Sequence, residues 1–267
     1  MFILLALLFL SRCGSAGKTV LQPVVQLSPP PIVDGETSVY QWIQDSLLLG
    51  YRQLTINRIQ LDVPVFRIVT VDRFFPLENP SPNRPFRTQH GTPQTESTVV
   101  TVTRADLTPQ TVLFVPAPND TLYWVAVDYR HRIAEILTRT PNGTIENRLP
   151  IGALTFDINQ LPLLCRSLKI LPGPPLHTLI VLPLTAPPGG MSVLAEITIS
   201  GIDTVVVPAG TFECQKVIVK LPEFEEEYWV EKVGARRLIK YFNRHTGRGL
   251  KLMLSTIGVN PTEKLSH

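Results

Sequence analysis

Hydrophobic and polar residues alternate with a period of two through much of the chain. In the β-branched segment 98–103, Thr98, Val100 and Val102 share one face and alternate with Val99, Thr101 and Thr103, a composition that suits a pleated strand. Tyr123, Val125, Val127 and Tyr129 share one face of a second such segment. Because side chains of a strand point to alternate faces, this pattern predicts strands with one buried face.

Turn residues divide the remaining apolar segments. The segment 133–140 leads into Pro141-Asn142-Gly143-Thr144, in which Asn-Gly is a strong hairpin signal. Three more strands are predicted at 192–200, 202–207 and 212–221, bounded by Gly201 and by the turn Pro208-Ala209-Gly210.

Only two segments are candidates for helices. The segment 41–49 is interpreted as a strand, because Tyr40 and Trp42 alternate with polar residues and Gly50 follows. The segment 161–168 is predicted to form one or two helical turns over the core. The predicted fold class is therefore all-β and mainly antiparallel, with a curved open sheet, a half-barrel or a sandwich and at most one or two short helices.

One hairpin can be predicted pair by pair. If Val233-Gly234 is a two-residue turn, Lys232 faces Ala235 and Glu231 faces Arg236. The same register places Trp229 opposite Leu238 and Glu227 opposite Lys240. The acidic run 225–227 and the basic residues after 235 are then structural pairs, and a cation or anion site is the alternative interpretation.

Composition supports a globular chain with unusual loops. The 267 residues include 25 prolines, nearly twice the usual share of about 5%. Hydrophobic residues make 44% and charged residues 18%, and the formal charge of +3 is too small to indicate nucleic-acid binding. The prolines cluster at 18–35, 76–93 and 172–190, where we predict an extended tether and two long loops.

The first residues predict export. Residues 2–10 form an uncharged apolar run that is too short to span a bilayer but fits a secretory signal. Signal peptidase could cut after Ala16, or Cys13 could be the acylated residue of a lipoprotein, although Arg12 is atypical before such a cysteine. A buried N-terminal strand is the third interpretation. The predicted organisation is a signal at 1–16, a tether at 17–35, one β-rich domain at 36–257 and a tail at 258–267.

Two further cysteines would remain after export. Cys165 and Cys214 could form a disulfide in an oxidising compartment, or they could be separate buried thiols. The sequence favours neither strongly, because spacing alone does not bring two Cα atoms together.

Motifs of catalysis and metal binding are missing from the sequence. It has no His-x-x-x-His pair, no Cys-x-x-Cys pair, no phosphate-binding loop and no Gly-x-Ser-x-Gly motif. We therefore predict no catalytic residue, metal or cofactor. His131 is expected in an exposed turn, and His245 beside Arg244 is a weak candidate for an anion site.

Three stretches resemble a known family. The run Val205-Val206-Val207-Pro208-Ala209-Gly210-Thr211-Phe212-Glu213-Cys214-Gln215-Lys216-Val217 is similar to the most recognisable stretch of the bacterial domain of unknown function 3108. The stretches 228–241 and 40–56 resemble that family's closing and opening hairpins. The resemblance spans residues 36–257 and implies an exported antiparallel β-protein without established catalytic residues.

The resemblance also bears on the turn at 208–212. Pro208 fixes φ and Gly210 permits a positive φ, so Pro208, Ala209, Gly210, Thr211 and Phe212 are predicted to be a folding element, with Phe212 directed into the core. The strand-rich layout is also similar at the fold level to envelope lipoprotein carriers.

Three functions remain open at this point. The first is a non-enzymatic exported protein of a bacterial envelope, periplasmic or anchored through Cys13, that binds a lipid or other apolar ligand on a curved sheet. The second is a structural or protein-interaction module that uses the loops 76–93 and 172–190. The third is a hydrolase around His245 and Arg244. A cavity smaller than roughly 300 Å³ would count against the first.

Overall fold

The computed structural model describes residues 27–75, 94–116, 123–168, 174–184, 189–244 and 250–259. These residues form one sheet of 15 strands and one short α-helix. The strands are β1 Glu36–Gln44, β2 Leu47–Ile59, β3 Val65–Phe74, β4 Gln94–Thr103, β5 Pro109–Val115, β6 Trp124–Arg130, β7 Ile133–Thr140, β8 Gly143–Pro150, β9 Thr155–Asp157, β10 Leu176–Leu182, β11 Met191–Val207, β12 Gly210–Lys220, β13 Glu225–Glu231, β14 Leu238–Asn243 and β15 Leu250–Val259. A 3-10 turn, Ile158–Gln160, leads directly into helix α1, Leu161–Ser167.

The sheet is an open meander whose two halves meet in the middle. Its spatial order runs from β8 back to β1, then from β15 back to β9, so β1 pairs with β15. Neighbouring strands are antiparallel except β9 and β10, which are parallel. The predicted all-β, mainly antiparallel, open and curved architecture with one short helix is confirmed.

The segment 155–168 fills the inside of the curve. It bonds to the half of the sheet that runs from β8 to β1, because Tyr129 of β6 donates to Asp157 Oδ2 at 2.6 Å and Gln160 donates to Leu107 O at 2.9 Å. Arg166 contacts both halves, because it forms a bidentate ion pair with Glu36 of β1 at 2.8 and 3.1 Å and also donates to Ala235 O, between β13 and β14, at 2.8 Å. A helix enclosed in this way must be apolar on most faces, and Leu161, Leu163, Leu164 and Cys165 are all buried.

Most of the predicted strands form where the alternation placed them. The segment 98–103 lies within β4, and Val125, Val127 and Tyr129 are the buried face of β6. The helix predicted at 161–168 is α1, whereas the segment 41–49, interpreted as one strand, contains the end of β1, a two-residue turn at 45–46 and the start of β2. The hairpin after residue 140 is confirmed, with Thr140 opposite Gly143 and the two-residue turn at Pro141-Asn142.

The predicted strand boundary at Gly201 is wrong. Strand β11 runs without interruption from Met191 to Val207, and the pairing register with β12 shifts between Ile199 and Gly201. Gly201 has φ of +148°. It therefore forms a β-bulge inside a long strand, because a glycine can take this conformation without steric cost.

The predicted register of the 227–240 hairpin is also wrong. Trp229 lies opposite Lys240, Glu227 lies opposite Phe242, and the loop runs from 232 to 237. The register shifts between Trp229 and Val230, which pairs with Leu238. This bulge carries buried Leu238 onto the face of Val230, a rearrangement that strict alternation does not predict.

The acids and bases of this hairpin pair differently from the prediction. Glu231 lies 3.7 Å from Arg237 Nη1, whereas Arg236 donates to Gln215 Oε1 at 3.3 Å. Glu227 pairs with Lys216 at 3.1 Å and with Arg244. Ion pairs between residues of the sheet thus account for much of the acidic run 225–227 and of the basic residues after 235.

Residues 27–35 pack against the sheet assembly. Ser28 N donates to Ser167 O at 3.0 Å, and Ile32 is completely buried. This end of the predicted 17–35 tether is therefore part of the packed structure. Residues 1–26, including Cys13 and the predicted cleavage site, lie outside the described residues, as do residues 76–93 and 260–267.

Candidate functional site

A cavity of about 170 Å³ lies between the concave face of the sheet and the segment 155–168. Its walls come from both halves of the sheet and from the enclosed segment. The lining residues are Tyr40, Trp42, Arg52, Leu54, Thr70, Thr98, Ile158, Asn159, Pro162, Glu226, Tyr228, Leu238, Tyr241 and Leu252.

Strand register explains why aromatic side chains meet at this cavity. Trp42 of β1 lies opposite Leu252 of β15, which lies opposite Tyr241 of β14, which lies opposite Tyr228 of β13. Directly opposed residues point to the same face, so one row crosses four strands on the concave side. Trp42 and Tyr241 meet edge to face, with ring centroids 6.4 Å apart.

One wall carries a partly buried ion pair, in which the Asp72 side chain is 8% and the Arg52 side chain 27% exposed. Arg52 Nε donates to Asp72 Oδ1 at 2.8 Å, and Arg52 Nη2 donates to Asp72 Oδ2 at 2.7 Å. Trp42 Nε1 donates to the same Oδ1 at 2.7 Å, while the Arg52 guanidinium stacks 4.6 Å from the Trp42 ring centroid. Burial alone would lower the pKa of Arg52, but Asp72 opposes this and the net pKa is raised. Arg52 therefore keeps its positive charge beside the cavity.

The opposite wall carries a carboxyl group held by tyrosines. Glu226 accepts hydrogen bonds from the hydroxyls of Tyr228 and Tyr241, and from Asn243 Nδ2 at 3.3 Å. Burial raises the pKa of Glu226, against these hydrogen bonds, which lower it. The buried carboxyl therefore receives its hydrogen bonds mainly from neutral donors, and among the described residues it forms no salt bridge.

A second carboxyl extends the charged wall. Glu96 of β4 lies opposite Asp72, which lies opposite Arg52. Burial first, and then the charge of Asp72, raise the pKa of Glu96 to about 7. Two acidic groups with raised pKa values therefore stand on the same concave face as Arg52 and Asp72.

The arrangement suits a compact ligand with polar and apolar parts. Leu54, Leu238 and Leu252 supply an apolar surface, while Arg52, Asn159 and Glu226 supply hydrogen-bonding groups. The volume is below the roughly 300 Å³ at which ordinary ligand sites begin. This size counts against the predicted lipid or long-chain apolar ligand.

Sequence reasoning missed Arg52, Asp72, Glu96 and Glu226 as site residues. Arg52 and Asp72 interrupt otherwise apolar faces, those of Leu54 and Ile56 on β2 and of Ile68 and Phe74 on β3. A charge on the buried face of a predicted strand is the signal that could have found them. Glu226 was assigned to a surface charge run, although it faces opposite to Glu225 and Glu227.

The cysteines do not join the cavity. Cys165 on α1 and Cys214 on β12 are both buried free thiols, so the structure has no disulfide between them. Burial raises the pKa of Cys165, and it raises the pKa of Cys214 to about 12. Neither thiol is therefore activated as a nucleophile.

The turn at 208–212 lies away from the cavity lining. Pro208 and Ala209 connect β11 to β12, Val207 lies opposite Gly210, and Gly210 has φ of +136°. Ala209 N donates to Leu254 O at 3.2 Å, and Phe212 is half-buried against the core. These contacts are those of a folding element.

The remaining sequence candidates lie in different places. His131 is exposed in the two-residue turn between β6 and β7, as predicted. His245 lies outside the described residues, while Arg244 forms ion pairs with Glu225 and Glu227. Within the ranges that the structure describes, no group of three or more His, Cys, Asp and Glu could hold a metal ion. Those same ranges contain no helix with the length and hydropathy of a membrane span.

Comparison with known proteins shows similarity of fold. No family model matches the chain, so the likeness to domain of unknown function 3108 remains a resemblance, and no curated protein matches it. A β-barrel-like protein of domain of unknown function DUF1849 from Brucella abortus superposes with a TM-score of 0.53 at 9% identity, covering 88% of this chain and all of that one. At this identity the similarity supports the fold alone.

Two more distant structures were found. One is a Bacteroides fragilis protein with a YmcC-like fold, thought to be exported, with a TM-score of 0.32 at 10% identity and coverage of 88% of this chain and 99% of that one. The other is a Parabacteroides distasonis protein, thought to be a lipoprotein, with a TM-score of 0.33 at 9% identity and coverage of 87% and 99%. Their TM-scores are too low to carry an argument.

Proposed function

We propose that this chain is an exported, non-enzymatic protein of a bacterial envelope that binds a compact amphiphilic ligand in the concave cavity. The ligand would carry a polar group toward Arg52 and Glu226 and an apolar group toward Leu54, Leu238 and Leu252. The observation that carries the proposal is the convergence of buried charged and aromatic side chains around one space. Export is supported by the apolar run at 2–10.

The polarity of the walls selects against a lipid as the ligand. A buried carboxyl and a partly buried ion pair would be costly beside an alkyl chain unless their hydrogen bonds stayed complete. A short ligand can leave the pair of Arg52 and Asp72 intact and still hydrogen-bond to Asn159 or to the tyrosine hydroxyls. We therefore propose a small polar headgroup rather than an acyl chain as the recognised element.

A non-enzymatic role is supported by how the acidic groups are used. The oxygens of Asp72 accept from Arg52 and Trp42, and those of Glu226 accept from two tyrosines. Groups held in this way fix the shape of a pocket. They are not directed, as a general base would be, at a nucleophile.

Native mass spectrometry of the chain purified from its own envelope tests the proposal. We expect a bound small molecule that is retained by Val99→Trp and lost in Thr98→Trp. Thr98 lines the cavity, whereas Val99 points to the convex face of the same strand, so the two variants add equal volume on opposite sides.

Folding must be checked in both variants by thermal unfolding. Glu226→Gln provides a second probe, because it keeps the volume of the side chain but removes the carboxylate, and we expect weaker retention of the ligand. Wild-type protein that carries no small molecule, or Thr98→Trp that retains it fully, would contradict the proposal.

A protein-interaction module is the second candidate function. The loop 76–93 lies outside the described residues, and so do residues 172–173 and 185–188 of the second predicted loop. The observation that favours this candidate is instead an exposed strand, β8, at the end of the sheet. A stoichiometric partner recovered from envelope extracts, with no ligand in the purified chain, would favour it over the cavity.

A further inference from the structure

We propose that β8 pairs with β8 of a second copy of this chain, antiparallel and about a two-fold axis at Asn147. The inference concerns a different surface from the cavity and does not depend on ligand binding. It rests on the exposure of β8, on the direction of its backbone groups and on the self-complementarity of its side chains.

The outer edge of β8 is available for pairing. It is the last strand of the sheet, and over the part of the chain that the structure describes no strand pairs with its outer side. Six of its eight residues are exposed. Such an edge presents unpaired N–H and C=O groups to another strand.

The direction of these groups follows from one hydrogen bond. Ile151 N donates to Arg132 O at 2.9 Å and so continues the ladder between β7 and β8. Because backbone groups alternate in direction along a strand, Thr144, Glu146 and Arg148 direct their N–H groups away from β7. Arg148 N agrees with this assignment, since it bonds to the side-chain Oδ1 of Asn147 at 2.8 Å.

A two-fold axis at Asn147 pairs these outward groups with each other. It places Glu146 opposite Arg148 of the second copy, and Thr144 opposite Pro150 of the second copy. Once Arg148 N exchanges its bond to Asn147 Oδ1 for one to the other chain, Glu146 and Arg148 each donate to and accept from that chain, whereas Pro150 accepts only. Pro150, which has no N–H group, lies at the end of this ladder, so hydrogen bonds can form along the middle of the strand.

The side chains on both faces match in the same register. On the convex face, Arg148 bonds to Glu135 of its own chain and would meet Glu146 of the other. On the concave face, Ile145 would lie opposite Leu149 of the second copy. The two Asn147 residues, each donating through Nδ2 to Gly189 O of its own chain at 2.8 Å, would lie side by side at the axis. By the two-fold symmetry, one dimer therefore contains two pairs of opposite charges and two pairs of apolar residues.

The edge also lacks two common barriers to self-association. No lysine lies in β8, and its one proline is the terminal residue. The surface covered by one strand pair is small, so we expect a dimer that forms in a concentration-dependent manner.

Charge reversal provides the main experiment. Sedimentation velocity of the full-length chain over a range of concentrations should show a monomer–dimer equilibrium. Glu146→Arg and Arg148→Glu each bring like charges together, and we expect each to weaken dimerisation about tenfold or more. An equimolar mixture of the two variants should dimerise again, because arginines on one chain then meet glutamates on the other.

Matched controls separate this effect from general changes in charge. Asp62→Arg and Arg67→Glu make the same changes at exposed positions away from β8, and both should dimerise like the wild type. Glu146→Pro tests the backbone separately. It removes an outward N–H and leaves the ladder with β7 intact, so it should abolish the dimer without lowering the melting temperature substantially.

Two results would overturn the inference. The first is a wild-type chain that is monomeric at every concentration, or a dimer that none of the three β8 variants weakens. The second is a monomeric chain that binds a different envelope protein, with Glu146→Pro abolishing that binding, because the occupant of the edge would then not be a second copy.

Discussion

At the scale of single residues, the concave face is defined by charges on otherwise apolar strand faces. Arg52 and Asp72 stabilise each other, and Trp42 completes the hydrogen bonds of the carboxylate. Glu96 lies beside them without a hydrogen bond of this kind in the described structure, and its carboxyl is the least favourably placed of the row. Ionised Glu96 therefore destabilises the folded state at high pH.

Stability should fall as pH rises through the range in which Glu96 ionises. Because burial raises its pKa from 4.5 to about 7, the folded chain holds a proton that the unfolded chain has already released between these values. The free energy of unfolding therefore decreases with increasing pH across this interval. Glu96→Gln should be more stable than the wild type at pH 8 by about 1–2 kcal/mol and no more stable below about pH 4.

Urea denaturation of both proteins across this pH range measures the difference. Asp62→Asn, at an exposed loop position, is the control and should leave the pH profile unchanged. A gain from Glu96→Gln that is equally large at pH 4 and pH 8 would contradict the assignment.

At the scale of elements, β2 and β3 approach each other so closely at Gly50 that no side chain fits there. Gly50 lies opposite both Trp42 and Phe74, and an added Cβ would lie 2.1 Å from Arg73 O. The backbone atom cannot move independently of the ladder. Strand β2 therefore requires glycine for space at this position.

Gly50→Ala should destabilise the chain by about 2 kcal/mol or more, because the strands must separate locally to accept the methyl group. Gly258→Ala on β15 is the matched control. An added Cβ there meets no atom within 4 Å, and the change should stay within about 0.5 kcal/mol. Chemical denaturation of the two variants measures both values, and equal effects would refute the steric explanation.

The sequence predicted elements better than their registers. Alternation in 98–103 and 123–129 located strands β4 and β6, since local side-chain pattern determines which face is buried. The bulge at Gly201 and the one beside Trp229 were missed because each inserts a residue that breaks the period of two.

The cavity could not be predicted from local sequence patterns, because its lining residues are far apart in the chain. Arg52 and Asp72 are 20 residues apart in the chain, and Tyr40 contacts Leu238 O across 198 residues. No local pattern contains the pairing of β1 with β15 that brings such groups together. The sequence could show that Arg52 is a charged residue on an apolar strand face, but not which residues would surround it.

At the scale of the whole molecule, the enclosed segment 155–168 links the two halves of the sheet. Arg166 is its strongest attachment, with both Nη atoms on Glu36 and one also on Ala235 O at 2.8 Å. Both side chains of this ion pair are buried. Without Arg166, the buried Glu36 would keep only Arg237, whose Nε lies 4.0 Å from Glu36 Oε1, as a charged partner.

Arg166→Met should therefore destabilise the chain by about 3–5 kcal/mol. The double variant Arg166→Met with Glu36→Leu should recover much of this loss, because no buried charge is then left unpaired. A double-mutant cycle from denaturation curves tests the coupling. Additive losses from the two substitutions would show that the ion pair does not join the segment to β1.

The pairing of β1 with β15 also determines when the chain can fold. Of the strands that the structure describes, β1 is synthesised first, yet one of its two neighbours, β15 at Leu250–Val259, is synthesised last. Until then β1 keeps an open edge and the two halves of the sheet are not joined. Completion of the native sheet is thus postponed until β15 has been synthesised, after most of the strands of both halves.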